Sequence, residues 1–224
     1  MTAKRRYGGQ TNGERRQERR ERLIESAILL YGRRGYRNTG VRAVCQEAGL
    51  TERYFYESFA NSEALLAAAF DQVVGRLIEQ IRGVAADRAL SVRERAGLML
   101  EAYYDAIRAH PDAARVFLIE ITGVSPTIDL AFEHAQDRLS ELILDTHDPD
   151  RIGPVAAEPL LRRGIAGGLL HIAIAWHEAG YDRSLDEVVA AAMPLCLLAE
   201  PHRHAMMPQH LLPASPVPEE DIEA

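Results

Sequence analysis

The sequence predicts an all-α protein with a small N-terminal head, a long connecting helix and a larger helical body. Apolar residues recur at helical spacing through most of the 224 residues, and capping signals separate the segments. Strand-like alternation of useful length is absent from the sequence, as is any internal repeat of roughly 20 to 50 residues. The fold class is therefore predicted as all-α.

The head, residues 16–60, is predicted to contain three helices. The first ends at Gly35, and the second runs from its cap Thr39 to a left-handed turn at Gly49. The third begins after a second cap, Thr51. Because these residues are too few to form a large core, we expect the head to be a small compact domain.

A connector helix follows, beginning at Asn61 and reaching residue 86. Its regular part, residues 62–85, would span about 36 Å at about 1.5 Å per residue, which is enough to join the head rigidly to a body. The body, residues 87–200, is predicted to contain five more helices. Their predicted bounds are 91–109, 112–123, 125–146, 160–180 and 184–199. Capping boxes at Ser91/Glu94 and Ser184/Glu187 begin two of them, and Pro194 is expected to kink the last.

The last two helices predict a homodimer. The segment 160–180 is apolar on almost every face, so it must be buried on every side, and a body of this size cannot easily surround it. We therefore expect residues 157–199 to pack against a second copy of the chain. Residues 201–224 hold five prolines and an acidic end, and are expected to be a disordered tail.

Charge is distributed unevenly along the chain. The net charge is −7, but residues 1–60 hold 13 Lys and Arg against 7 Asp and Glu, a balance of +6. The remaining residues hold 13 against 26, a balance of −13. A basic front and an acidic rear favour two modules with different partners.

Several protein classes are disfavoured. No apolar run approaches the roughly 18 residues of a membrane helix, and the Arg-rich start has no apolar segment typical of a secretory signal. Cys45 and Cys196 have no metal-ligand spacing, which argues against a zinc module or a disulfide scaffold. A reduced cytoplasm fits best, with no membrane partner.

The second and third helices have the length and turn chemistry of a helix-turn-helix. The major groove of DNA is about 12 Å wide and admits one helix, so the third helix would present Glu52, Arg53 and Tyr54 to base edges. Arg53 can donate two hydrogen bonds to guanine, and Tyr56 suits a phosphate. By spacing alone, an ordinary helical hairpin remains an alternative.

Residues 23–66 resemble the DNA-binding region of the TetR (tetracycline repressor) family. The resemblance rests on the run G-Y-x-N-T-G-V-x-A-V-x-x-x-A-G-L-T-x-x-x-F-Y-x-x-F-x-N-S-E-x-L-L that begins at Gly35. It implies a helix-turn-helix over 39–59, with Tyr56 contacting phosphate and Thr51 capping the recognition helix. It also implies a ligand-binding body and a dimeric bundle formed by the last two helices.

Two positions depart from the family pattern. Ser62 stands where the family usually has a phosphate-contacting lysine, and Arg53 and Tyr54 stand where small residues are usual. These differences suggest an operator unlike those of better-known relatives. The candidate DNA-binding residues are Arg19, Arg22, Thr39, Arg42, Thr51, Glu52, Arg53, Tyr54, Tyr56 and Asn61.

The first 15 residues are expected to be a disordered basic arm. Such an arm can enter a minor groove or follow phosphates, and a frayed, solvated helix start is the alternative for residues 1–14. Arg19 and Arg22 lie next to the head, so we expect them to contact DNA.

The body has three polar residues on otherwise apolar helix faces, which marks them as a candidate ligand pocket. They are Tyr103, Glu120 and His171, and a satisfied position in the core or the dimer interface is the alternative for each. No H-E-x-x-H, P-loop, G-x-S-x-G or dinucleotide motif is present. We therefore expect no catalytic residue, cofactor or metal.

Together these features predict a homodimeric transcriptional regulator of double-stranded DNA. We expect a repressor that a small-molecule effector releases from a pseudo-palindromic operator. A ligand-independent dimeric DNA-binding protein or an activator is the alternative, and a helical enzyme is a third.

Overall fold

The computed structural model describes residues 11–85, 87, 89–147, 150 and 158–197, and every regular element within these ranges is helical. The helices are α1 (Asn12–Arg34), α2 (Val41–Glu47), α3 (Glu52–Ser58), α4 (Ser62–Ala85), α5 (Val92–Ala109), α6 (Pro111–Arg115), α7 (Pro126–His147), α8 (Pro159–Glu178) and α9 (Leu185–Leu197). A 3-10 turn, Tyr36–Asn38, follows α1, and a π-helical turn, Val116–Glu120, continues α6. The all-α prediction is confirmed.

In the head, α1 packs against both short helices, α2 and α3. Leu23 and Tyr31 of α1, Val44 of α2 and Phe55 of α3 are completely buried together. Between α2 and α3, Gly49 has φ +62°, a conformation that side chains with a Cβ rarely adopt. The predicted helix-turn-helix geometry is therefore present.

The first helix begins earlier than predicted. The Thr11 hydroxyl accepts a hydrogen bond from the Glu14 backbone N–H, and the Glu14 carboxylate accepts one from the Thr11 N–H. This capping box makes residues 12–15 helical, so their assignment to a disordered arm is wrong. Residues 1–10, the rest of the predicted arm, lie outside the described residues.

The predicted caps in the head are only partly correct. Gly40, not Thr39, is the cap of α2, because the Thr39 hydroxyl instead donates to the Gly35 carbonyl at 2.8 Å. Thr51 does occupy the cap position of α3, but its side chain makes no capping hydrogen bond.

The connector helix α4 packs along α1, α5 and α7. Its apolar face is buried through residues such as Leu66, Phe70 and Ile81. In the body, the predicted capping boxes at Ser91/Glu94 and Ser184/Glu187 are confirmed.

One segment of the body differs from the prediction. The predicted helix 112–123 is instead the short α6 followed by the π-helical turn. Pro194 lies inside α9 as expected. The predicted tail, residues 201–224, and most of the loop before α8 lie outside the described residues. Within the described ranges, no helix is long and apolar enough to cross a bilayer.

Candidate nucleic-acid interface

The helix α3 presents a polar face to solvent. Glu52 and Arg53 in its first turn are exposed, and the Tyr56 side chain one turn later is 62% exposed. Phe55 and Phe59 are buried on the opposite side, with ring centroids 5.8 Å apart. Residues three or four positions apart share a helix face, so Glu52, Arg53 and Tyr56 form one accessible surface.

Arg53 is a strongly exposed side chain of this face. It is 84% exposed, and its Nε donates to Oε1 of Glu57 at 3.0 Å, one turn further along α3. Glu57 therefore adjoins the exposed face, at the position one turn beyond Arg53 where helical spacing along the sequence predicts it.

Arg19 of α1 supports α3 from behind. Its guanidinium carbon lies 4.4 Å from the centroid of the Tyr54 ring, and its Nη2 lies 3.9 Å from Oε2 of Glu57. Tyr54 is half-buried by this contact. Arg19 and Tyr54, both candidate DNA contacts, thus hold each other and fix α3 on α1.

Arg22 has a similar internal role at the turn. Its Nη2 donates to the Ala48 carbonyl, the last acceptor of α2 before the glycine turn. A Cβ on Gly49 would lie 3.1 Å from the same Nη2, so the glycine also makes room for Arg22. Arg22 therefore stabilises the turn between α2 and α3.

The remaining candidate DNA-binding residues of the head differ in whether their side chains are available to contact DNA. Arg42 on α2 is exposed and has no partner among the described residues. Thr39 is buried and its hydroxyl is bonded to Gly35, so it supports the turn before α2.

Asn61 caps α4, because its Oδ1 accepts from the Ala64 N–H at 2.8 Å. Ser62 bonds the Tyr36 hydroxyl at 3.1 Å, so the connector is tied to the head at that point.

The three candidate ligand residues do not form one pocket. His171 is exposed on α8, where its Nδ1 lies 2.8 Å from the Gly167 carbonyl, so its expected position inside the body is wrong for the single chain. Tyr103 is buried, and its hydroxyl has no partner within the described ranges. Burial raises the pKa of the Tyr103 hydroxyl, which therefore stays protonated.

Tyr103 lines a small apolar cavity inside the body. The cavity measures about 30 Å³ and is also bounded by Ile81 of α4, Leu142 of α7 and Ala166 of α8. A space of this size holds about one water molecule. It can therefore receive a larger molecule only if the surrounding helices move.

A larger groove, of about 660 Å³, lies between the head and the body. Ile28 of α1 and Ile107 of α5 line it, as do Glu25 and Arg76, which form an ion pair. This volume is within the range of small-molecule sites, roughly 300–1,000 Å³.

Glu120, the third candidate, joins the body to the head. Its Oε2 accepts from the Tyr36 backbone N–H at 2.7 Å, and its Oε1 accepts from Arg115 Nε at 2.9 Å. Arg33 of α1 also pairs with Asp112 of α6, Nε to Oδ2 at 3.1 Å. A movement of the π-helical turn is thereby coupled to the end of α1.

The head of the chain combines a buried aromatic anchor, a glycine turn and a short exposed helix. These three features define a helix-turn-helix DNA-binding protein. The family model for bacterial regulatory proteins of the tetR family matches residues 23–69, which contain all three features. Residues 23–69 are therefore a DNA-binding region of the kind found in bacterial regulatory proteins of the tetR family, as the resemblance predicted.

Relatives over longer stretches are also regulators. The HTH-type transcriptional activator FasR of Mycolicibacterium smegmatis is 26% identical over 82% of this chain and 84% of its own length. The HTH-type transcriptional regulator YerO of Bacillus subtilis is 27% identical over 46% of this chain, but that match spans only 36% of YerO.

The fold of the whole chain has solved counterparts. FadR from Bacillus subtilis, in complex with stearoyl-CoA, covers 79% of this chain and 96% of its own chain with a TM-score of 0.66. The sequence identity is 16%, so this likeness shows that the fold is shared.

Proposed function

We propose that this protein is a homodimeric repressor that leaves its operator when a long-chain acyl-CoA binds in the body. The observation that carries the DNA-binding half is the exposed face of α3, where Arg53 and Tyr56 project beyond a buried aromatic anchor. Side chains of this kind at the start of a recognition helix can donate to guanine and to phosphates. A cytoplasmic location is part of this proposal, because an operator is reached there.

The proposed effector site is the apolar cavity around Tyr103. Its walls come from α4, α5, α7 and α8, and an acyl chain entering it must push these helices apart. The connector α4 would then carry the displacement to the head, since Ser62 at its start bonds Tyr36. An acyl chain suits the lining because aliphatic side chains dominate it.

Two relatives support this ligand class. The FadR structure holds stearoyl-CoA, and another relative, 22% identical over 44% of this chain, is named a fatty acid metabolism regulator protein of Bacillus subtilis. A ligand shifts the equilibrium between two conformations only by its differential affinity for them. The small volume of the cavity supplies such a difference, because only a body whose helices have moved apart would accept the chain.

The proposed dimer uses α8 and α9. The Leu160 side chain is 76% exposed in the single chain, and Gly164, Ala175 and Ala190 are exposed further along these helices. Small residues allow two helices to approach closely, and an exposed leucine gains from burial. Two recognition helices would then reach successive major grooves about 34 Å apart.

An activator is the second candidate. FasR is named a transcriptional activator and aligns with most of this chain. Both candidates require operator binding, and they differ in whether the bound protein raises or lowers transcription of the neighbouring gene.

Selection of genomic DNA fragments on the immobilised protein tests the proposal. We expect one family of inverted-repeat fragments to be retained, and stearoyl-CoA to release them. An effector-independent protein would retain the same fragments with or without stearoyl-CoA, and failure to enrich any sequence would contradict operator binding.

Two matched variants locate the ligand. Ala166→Leu adds bulk to the interior cavity, whereas Ala109→Leu adds the same bulk to the groove beside the head. We expect Ala166→Leu to bind the selected DNA but to lose release by stearoyl-CoA, and Ala109→Leu to keep it. The opposite pattern would move the effector site to the groove.

A further inference from the structure

Glu57 contacts three arginines of the head, two on α1 and one on α3. Its Oε1 accepts from Arg53 Nε at 3.0 Å, and its Oε2 lies 3.9 Å from Arg19 Nη2. Its backbone carbonyl accepts from Arg16. Arg16 and Arg19 therefore hold Glu57 against α1. Glu57 in turn holds the Nε atom of Arg53.

The contact with Glu57 leaves the Nη hydrogens of Arg53 available to donate. A guanidinium group has one N–H at Nε and two at each Nη, and Glu57 uses the one at Nε. The two Nη groups have no partner within the described part of the chain, and the side chain is 84% exposed. Their remaining hydrogens form the fork that pairs end-on with O6 and N7 of guanine.

The geometry points to Glu57 as the residue that sets base preference through Arg53. We propose that Glu57 positions the Arg53 fork for one guanine in the major groove, an inference that rests on the proposed operator binding. An unrestrained arginine loses rotamer freedom when it binds, and the ion pair removes part of that loss beforehand. Glu57 is a positioning residue, because it acts through Arg53.

A purely structural role for Glu57 predicts a different effect on operator binding. Its pairing with Arg19 also fastens α3 to α1, and loosening that contact would weaken every operator alike. A positioning role changes the preference at the single base pair that Arg53 reads. Base preference at that position therefore separates the two roles, whatever happens to total affinity.

The test is selection of binding sites from a randomised DNA pool by the full-length protein. Wild type is compared with Glu57→Ala, Glu57→Gln, Arg53→Ala and the Arg53→Ala/Glu57→Ala double variant. Glu47→Ala is the matched control, because Glu47 is an exposed head carboxylate with no partner among the described residues. Circular dichroism confirms that each variant is folded.

We expect Arg53→Ala to remove a guanine preference of roughly tenfold at one base pair. Glu57→Ala should reduce the guanine preference at that same base pair to about twofold or less, and adding Glu57→Ala to Arg53→Ala should cause no further change there. Glu57→Gln keeps an acceptor oxygen for Arg53 Nε and should restore most of the preference, and Glu47→Ala should leave it unchanged.

Two results would overturn the inference alone: Glu57→Ala keeping the guanine preference that Arg53→Ala loses, or Glu57→Ala weakening all sequences with every preference intact. Failure of the wild-type protein to select any sequence would instead overturn the proposed function, and this inference with it.

Discussion

The carboxylate of Glu120 accepts a 2.7 Å hydrogen bond from the backbone N–H of Tyr36, 84 positions earlier in the chain. Glu120 lies in the π-helical turn of the body, and Tyr36 lies between α1 and α2 of the head. The Glu120 side chain is only 11% exposed and is also held by Arg115. The Glu120 carboxylate is therefore one of the groups that join the head to the body.

Replacing Glu120 should weaken the contact between the head and the body. Glu120→Ala leaves the Tyr36 N–H without its acceptor, so we expect the free energy of unfolding to fall by about 1–3 kcal/mol in urea titrations. Glu120→Gln keeps an acceptor oxygen and should lose less. Glu101→Ala, an exposed position on α5 with no partner among the described residues, serves as control and should change little. Equal losses for Glu120→Ala and Glu101→Ala would contradict this account of the contact.

Gly32 permits close contact between α1 and α6. A Cβ added there would lie 2.5 Å from Cα of Asp112, and backbone atoms cannot move aside as a flexible side chain can. Gly32→Ala should therefore lower the free energy of unfolding by at least about 1–3 kcal/mol. In contrast, a Cβ on Gly83 in α4 meets nothing within 4 Å, so Gly83→Ala should raise stability by up to about 1 kcal/mol. Thermal denaturation of both variants measures the difference, and an unchanged Gly32→Ala would show that the two helices separate easily.

Arg22 and Arg42 should differ in how salt affects their variants. Arg42 is exposed and free to meet a phosphate, so Arg42→Ala should reduce the slope of log affinity against log salt by about 1 if its side chain binds one phosphate. Arg22 already bonds the Ala48 carbonyl, so Arg22→Met should weaken all operators while the slope stays the same. Fluorescence anisotropy at several salt concentrations provides the slopes. If Arg22→Met lowers the slope as Arg42→Ala does, Arg22 contacts DNA directly.

Acid should weaken the capping boxes. Hydrogen bonds from the Ser91 hydroxyl and backbone N–H hold the pKa of Glu94 below its ordinary value of 4.5. Because the folded pKa is the lower one, this contribution to stability is present above the unfolded pKa and is lost as pH falls through the folded pKa. Glu94→Gln should be less stable than wild type at neutral pH, and the difference should shrink below about pH 4. Melting curves across this range measure it, and a difference that grows in acid would contradict the assigned sign.

Local signals in the sequence predicted much of the fold. Capping boxes at Ser91 and Ser184 and the glycine turn at Gly49 depend on neighbouring residues, so their positions could be inferred from spacing alone. The Thr11/Glu14 box has the same spacing, although the predicted head began only at residue 16.

Long-range partners explain most of what the sequence did not predict. Arg22 meets Ala48 and Glu120 meets Tyr36 only because α1 packs against other helices, and spacing along one helix holds no such information. Thr39 fits a cap pattern, yet its hydroxyl donates to the Gly35 carbonyl four residues earlier. The exposed face of α3 with Glu52, Arg53 and Tyr56 could be predicted from helical spacing, whereas the internal contacts of Arg19 and Arg22 could not.

The most direct test of the whole account is the affinity for a selected operator measured by fluorescence anisotropy during titration with stearoyl-CoA. Because the acyl chain must open the body around Tyr103, we predict that saturating stearoyl-CoA weakens operator binding at least about tenfold, within the usual range of allosteric coupling. Stearoyl-CoA that binds the protein but leaves operator affinity unchanged would contradict the account.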